Sequence, residues 1–152
     1  MQSLQKPLYS HTQSVPLHLF FAIAVLLVTV ASLRQGFSVL TILVGIAVVF
    51  WFIFSRMTIS VSEQALDFCF GFNFMHKTIK LDEIASYKQV RNSPLSGWGI
   101  HYIGTGWLYN VYGLSAVELH LKDGSMLRLG TDEPAKLVEA LDLATTKTNE
   151  QS

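Results

Sequence analysis

Residues 57–72 read MTISVSEQALDFCFGF, and their period decides the fold class of the C-terminal part. Met57, Ile59 and Val61 alternate with Thr58, Ser60 and Ser62. Leu66, Phe68, Phe70 and Phe72 alternate with Asp67, Cys69, Gly71 and Asn73. Side chains of a strand point to opposite faces in turn, so such alternation predicts half-buried antiparallel strands with one face on a core. Glu63-Gln64 and Asn73 fall where turns are needed. The pattern continues with Met75, Ile79 and Leu81 set against His76, Thr78 and Lys80.

Downstream, residues 117–129 (VELHLKDGSMLRL) predict a hairpin whose register can be derived. A two-residue Asp123-Gly124 loop would pair Leu119 with Arg128 and place an arginine on the apolar face. A three-residue Lys122-Asp123-Gly124 loop with Gly124 left-handed pairs Val117 with Leu129 and Leu119 with Leu127. It also sets Glu118 opposite Arg128 on the other face. The second register satisfies both faces and is the one expected. Thr131-Asp132-Glu133-Pro134 then opens a helix, with Thr131 or Asp132 as cap and Pro134 in the first turn. Leu137, Val138, Leu141 and Ala144 form its apolar stripe, and the tail from about Thr146 is expected to fray. Seven or eight short strands and one amphipathic helix describe this part.

Upstream the period disappears. Leu17–Leu33 (LHLFFAIAVLLVTVASL) and Phe37–Phe54 (FSVLTILVGIAVVFWFIF) are uncharged runs, separated by Arg34-Gln35-Gly36. At 1.5 Å rise per residue each would reach about 26 Å, close to a bilayer core of about 30 Å. They are expected to form an antiparallel transmembrane hairpin with Gly36 ending the first helix. Aromatic residues Phe20, Phe21, Trp51, Phe52 and Phe54 would share one interface. Lys6 and Arg56 flank that side against Arg34 at the turn, which favours cytoplasmic termini. The rival is a cleaved signal peptide with Thr29-Val30-Ala31 at the cleavage site. Its leading segment of about sixteen residues would be long, and a second apolar run follows almost at once.

The composition agrees with this division. Of 152 residues, 50% are hydrophobic and 14% charged, and every acidic residue lies at or beyond Glu63. From Ser55 onward nine basic residues face eleven acidic ones. That excess of acid argues against nucleic acid, whose binders carry a basic surplus, and against an anionic-lipid cluster. The single cysteine, Cys69, excludes an internal disulfide and is expected to be a buried, inert thiol.

The phrases Gly97-Trp98-Gly99-Ile100, Gly106-Trp107-Leu108-Tyr109-Asn110, Gly113, Ala116-Val117-Glu118-Leu119, Leu121-Lys122-Asp123-Gly124 and Leu129-Gly130-Thr131-Asp132-Glu133-Pro134 carry a resemblance. Together they resemble the bacterial pleckstrin-homology-like (bacterial PH) domain family over residues 57–145, most strongly from Gly97 to Pro134. The resemblance implies a bent, seven-stranded β-sandwich or partial barrel closed by a C-terminal helix, and no enzymatic activity. The expected fold class is therefore a mainly β, α+β domain preceded by a two-helix transmembrane hairpin. Its parts are an N-terminal cytoplasmic segment (1–16), the hairpin (17–33 and 37–54), the PH-like domain (57–145) and a polar tail (146–152).

No motif of catalysis or cofactor binding stands out. Gly104-Thr105-Gly106 lacks the third glycine and the following helix of a nucleotide loop. His76, His101 and His120 have no metal-ligand spacing with a carboxylate or thiol, and no nucleophile elbow occurs. The unusual stretch is aromatic and glycine-rich. Trp98, Tyr102, Trp107, Tyr109 and Tyr112, with Arg91 and His101 as polar companions, form a candidate contact patch for a partner or a lipid. The alternative is core and loop packing. The expected function is a non-enzymatic interaction or scaffolding module at the cytoplasmic face of a bacterial inner membrane. Its partners would be the bilayer and a homo-oligomer or another membrane protein; a lipid or small-ligand sensor at the membrane surface is the second reading. No cofactor or metal is expected.

Overall fold

The computed structural model describes residues 7–15, 18–35, 39–71, 73, 75–96 and 99–150. Expectations resting on Lys6, Leu17, Gly36, Phe37, Phe72, Gly97 and Trp98 lie outside the described residues. The elements run β1 (Tyr9–Ser14), α1 (His18–Gln35), α2 (Val39–Phe54), β2 (Arg56–Val61), β3 (Ala65–Phe70), β4 (Met75–Lys80), β5 (Ile84–Arg91), β6 (Gly99–Tyr102), β7 (Trp107–Asn110), β8 (Ser115–Leu121), β9 (Met126–Gly130) and α3 (Pro134–Glu150). Strands β1-β2-β3-β4 make one sheet, and β5-β8-β9-β7-β6 a second.

The alternation of β2 and β3 is realised residue by residue. Met57, Ile59, Val61, Leu66, Phe68 and Phe70 are all buried on one face. They meet Tyr109, Val117, Leu119, Leu127 and Leu129 of the second sheet, with Phe68 edge-on to Tyr109 at 4.8 Å. Each such side chain contributes about 1.5–3 kcal/mol by leaving water. The β8–β9 hairpin has the three-residue register, pairing Val117 with Leu129, Glu118 with Arg128 and Leu119 with Leu127. Gly124 sits at φ +86°, where a β-carbon would be strained.

Helix α3 covers the junction of the sheets with Leu137, Ala140, Leu141 and Ala144. Thr131 Oγ1 accepts the Glu133 N–H at 3.1 Å, so Thr131 supplies the cap. The helix does not fray at Thr146 but continues to Glu150. Lys147 pairs with Glu63 at 2.9 Å, and Thr148 Oγ1 donates to the Glu63 carbonyl at 3.0 Å. Two long-range contacts thus hold the turn that its sequence leaves free.

Other differences follow from pairing. Residues 9–14 form a strand that alternation did not announce, because YSHTQS lacks apolar alternation and gains its order from pairing with β2. Among the described residues the part from Arg56 onward holds eight strands, β2 to β9, to which β1 is added from the N-terminal segment, and β7 pairs with β9 in parallel. Met75 is exposed, since β4 is an edge strand with only Ile79 buried. Cys69 is half-buried, because the alternation that buries Phe68 and Phe70 turns it to the opposite face, opposite His76.

The largest correction concerns the helical pair. Phe21, early in α1, stacks on Trp51, late in α2, at 4.8 Å, so the two helices are antiparallel neighbours. They are not a transmembrane hairpin: among the described residues no helix is long and apolar enough to cross a membrane. Helix α2 has 16 residues, a rise of about 24 Å. Helix α1 begins on His18 and ends on Arg34-Gln35, which leaves about 23 Å of largely apolar helix between them, with Thr29 and Ser32 within it. Both fall short of a hydrocarbon core of about 30 Å. The expected fold class, a PH-like sandwich or partial barrel behind a membrane hairpin, is therefore overturned in favour of a mixed β domain with short helices. The multi-pass inner-membrane placement goes with it. So do the bilayer, the homo-oligomer and the membrane-protein partner inferred from that placement.

Candidate functional site

The helical pair meets the sheets abruptly. Only Ser55 separates α2 from β2, and the Val15 N–H donates to the Ser55 carbonyl at 2.9 Å. Phe54 packs on Phe70 at 5.8 Å between ring centroids. Gly71, at φ +58°, lies so close that a β-carbon there would stand 2.9 Å from the Ile53 carbonyl oxygen. The backbone must pass here without a side chain, and the junction is consequently tight on this side.

On the other side it is open. A cleft of about 380 Å³ lies between the end of α2 (Phe50, Trp51, Phe54), the start of β6 (Gly99, Ile100) and Val15, Ser55 and Val111. Val111 is held in place by the strap that follows it. Three successive carbonyls there each accept a hydrogen bond from a different amide residue. Tyr112 O accepts from Gln13 Nε2 at 2.6 Å, Gly113 O from Asn110 Nδ2 at 3.2 Å, and Leu114 O from the Asn92 backbone N–H at 2.6 Å. Gln13, Asn92 and Asn110 are themselves buried.

A second cavity of about 670 Å³ adjoins the first through the shared residues Val15, Trp51 and Ser55. It follows the seam between α1 and α2, past Phe21, Val25, Thr29 and Val48, and ends on Ser14 and Arg56 at the sheet. Half-buried residues recur at helical spacing on both partners: Phe21, Val25, Val28 and Ser32 on α1, and Val44, Val48 and Trp51 on α2. The Thr29 hydroxyl donates to the Val25 carbonyl at 2.8 Å, so its polar atom is satisfied within the helix.

The sequence-derived patch does not assemble as one surface. Tyr102 and Trp107 are cross-strand partners of β6 and β7, exposed and edge-on at 5.9 Å. His101 sits beside them in register with Leu108, with Nε2 buried and without a hydrogen-bond partner among the described residues. Tyr109, two residues along β7 and on the same face as Trp107, is buried in the core. Tyr112 is exposed on the strap, and Arg91 ends β5 opposite Ser115 on the far strand of the sheet. Trp98 lies outside the described residues. Sequence proximity grouped these aromatics; the alternation of β7 separates Trp107 from Tyr109 only by the depth each reaches.

The strongest electrostatic feature lies elsewhere, on the opposite face of the second sheet. Glu118, buried, accepts from Arg128 Nε at 2.6 Å, His120 Nε2 at 2.9 Å and Lys88 Nζ at 3.1 Å. Burial alone would raise its pKa, but the three donors outweigh it and hold the carboxyl down at about 2. An acid this firmly ionised and this fully paired is a structural clamp across β5, β8 and β9, not a proton donor near neutrality. A second polar tie joins β1 to the start of α3. His11 reaches Asp132 at 2.7 Å and Glu133 at 3.4 Å, and burial with the neighbouring Glu133 pushes the Tyr9 phenol up to about 12.

Among the described residues no group of three or more His, Cys, Asp or Glu side chains could hold a metal ion. Sequence reasoning missed the junction cleft altogether, because its lining comes from four separated stretches. The weak signal was Trp51, Phe52 and Phe54 in a run directly abutting β2. Compared with family models, with curated proteins and with solved structures, the chain matches none, and the expected membership of the bacterial PH-like family is thereby overturned.

Proposed function

We propose that this chain is a non-catalytic binding domain that takes a small apolar ligand in the cleft between α2, β6 and the Val111 strap. The observation that carries this reading is the lining. Phe50, Trp51, Phe54, Ile100, Val15 and Val111 present a concave apolar surface, and no titratable side chain is among them. Ligand sites are mostly apolar clefts of about 300–1,000 Å³ with few polar groups. A cleft of about 380 Å³ lies within that range. Acid–base or nucleophilic chemistry needs a group that exchanges a proton or attacks, with a partner to activate it. Among the described residues that line the cleft the one hydroxyl, Ser55 Oγ, donates to the Phe52 carbonyl at 3.3 Å.

Titration with a neutral apolar dye such as Nile red tests this. The wild-type chain binds with saturation and one-to-one stoichiometry, and Ile100→Trp, which fills the cleft, abolishes binding while circular dichroism stays unchanged. Binding that survives Ile100→Trp, or that never saturates, overturns the reading.

A further inference from the structure

We infer that the ligand of the junction cleft is a flat, uncharged aromatic ring system that stacks on the last turn of α2. The inference rests on the proposed binding function and names the ligand class. Aromatic side chains in α2 are confined to that turn. From Val39 to Val49 the helix carries none, whereas Phe50, Trp51, Phe52 and Phe54 are four of its last five residues. Burial by itself is served as well by the aliphatic residues that make up the rest of the helix. Phe50, Trp51 and Phe54 all line the cleft.

Two of these rings have packing roles that account for them. Trp51 stacks on Phe21 at 4.8 Å, and Phe54 packs on Phe70 at 5.8 Å. Phe50 is 61% exposed and lies against Phe54 at 5.7 Å, with 24° between the ring planes. One helical turn apart, Phe50 and Phe54 form a short, nearly parallel stack on the cleft wall. A ligand ring that continues this stack gains quadrupole attraction beyond the area it buries, which a saturated ligand of the same skeleton does not. From β6 the cleft is met by Gly99, and nothing lies within 4 Å of the place a β-carbon would take there. A ring can therefore approach the β6 backbone. No residue lining the cleft carries a charge, so an ionised ligand would give up water without meeting an opposite charge.

The test compares naphthylmethanol with decalylmethanol, its fully hydrogenated counterpart, by displacement of Nile red from the full chain and by calorimetry. Burial by itself favours the saturated ligand, the more apolar of the two, so hydrophobicity cannot produce the opposite preference. The expected result is that naphthylmethanol binds about fivefold more tightly. Phe50→Leu, at an exposed ring, reduces that preference to about twofold or less, and Phe50→Tyr retains it. Equal binding of the two ligands, or tighter binding of decalylmethanol, overturns the aromatic assignment. A preference undiminished in Phe50→Leu, or lost in Phe50→Tyr, overturns the stack on Phe50. If neither ligand displaces a dye that still saturates, the ligand class falls and the cleft stands. A dye that never saturates overturns both.

Discussion

The first sheet and the helical pair that leads into it are made of the same kinds of side chain, yet they use them differently. In β2 and β3 every second residue is apolar, and those residues are almost wholly removed from water, Phe68 at 1% exposure. In α1 and α2 nearly every residue is apolar, and Leu33 and Val39 are 74% exposed. A pleated strand needs only one apolar face to close a core, whereas a helix packed along one narrow seam buries one stripe of its circumference. Hydrophobicity summed along a sequence thus measures how much apolar surface there is, not how much of it finds a partner.

That contrast can be broken most severely in the core. Phe68→Ala, which removes the ring facing Tyr109, is expected to cost about 3–5 kcal/mol in urea unfolding. Leu33→Ala, on the exposed helix face, is expected to change stability by less than about 0.5 kcal/mol. Similar costs at both positions would mean that the helical surface is covered in solution. Next in size is Gly106→Ala. A β-carbon there would stand 2.0 Å from the Met126 carbonyl oxygen, a backbone atom that cannot move aside. A loss of about 2–4 kcal/mol is expected, within the range for forced strain and overpacking. Gly104→Ala tests positive φ alone, because nothing stands near its β-carbon; it should cost less.

The clamp on the second sheet gives a pH-dependent version of the same comparison. The folded Glu118 carboxyl titrates at about 2, below its ordinary value near 4.5. Its contribution, at most about 3 kcal/mol, is present in full above the unfolded value. It is lost as pH falls from about 4.5 towards 2. Urea midpoints measured from pH 6 down to pH 2.5 should fall more steeply for the wild type than for Glu118→Gln. Parallel curves would show that the carboxylate is not the group responsible. A smaller loss is expected for Thr131→Ala, which removes the α3 cap and should cost about 1 kcal/mol. The same unfolding midpoints report it.

Much of the sheet architecture was legible from pattern. The buried set of β2 and β3, the three-residue hairpin at Lys122-Asp123-Gly124 and the α3 stripe all followed from period and turn chemistry, because each is decided by contacts close in sequence. The strand Tyr9–Ser14 was not legible, since its order comes from hydrogen bonds to β2 across some forty intervening residues. The junction cleft was illegible for the same reason. The aromatic stretch misled in a specific way: neighbours in sequence were taken as neighbours in space, whereas Tyr109 went into the core and Tyr102 with Trp107 stayed at the edge.

By itself, then, the sequence determined where apolar period two begins, which turn joins β8 to β9, and that two largely apolar helices, α1 and α2, precede the second strand. It did not determine how far each helix extends or what its faces meet. Tertiary structure decided that α1 and α2 share one seam and end against a sheet, with Arg56 at the base of that seam. The physical reason is range: helix and strand periods report the local backbone, whereas a cavity exists only where surfaces from distant segments fail to close on one another.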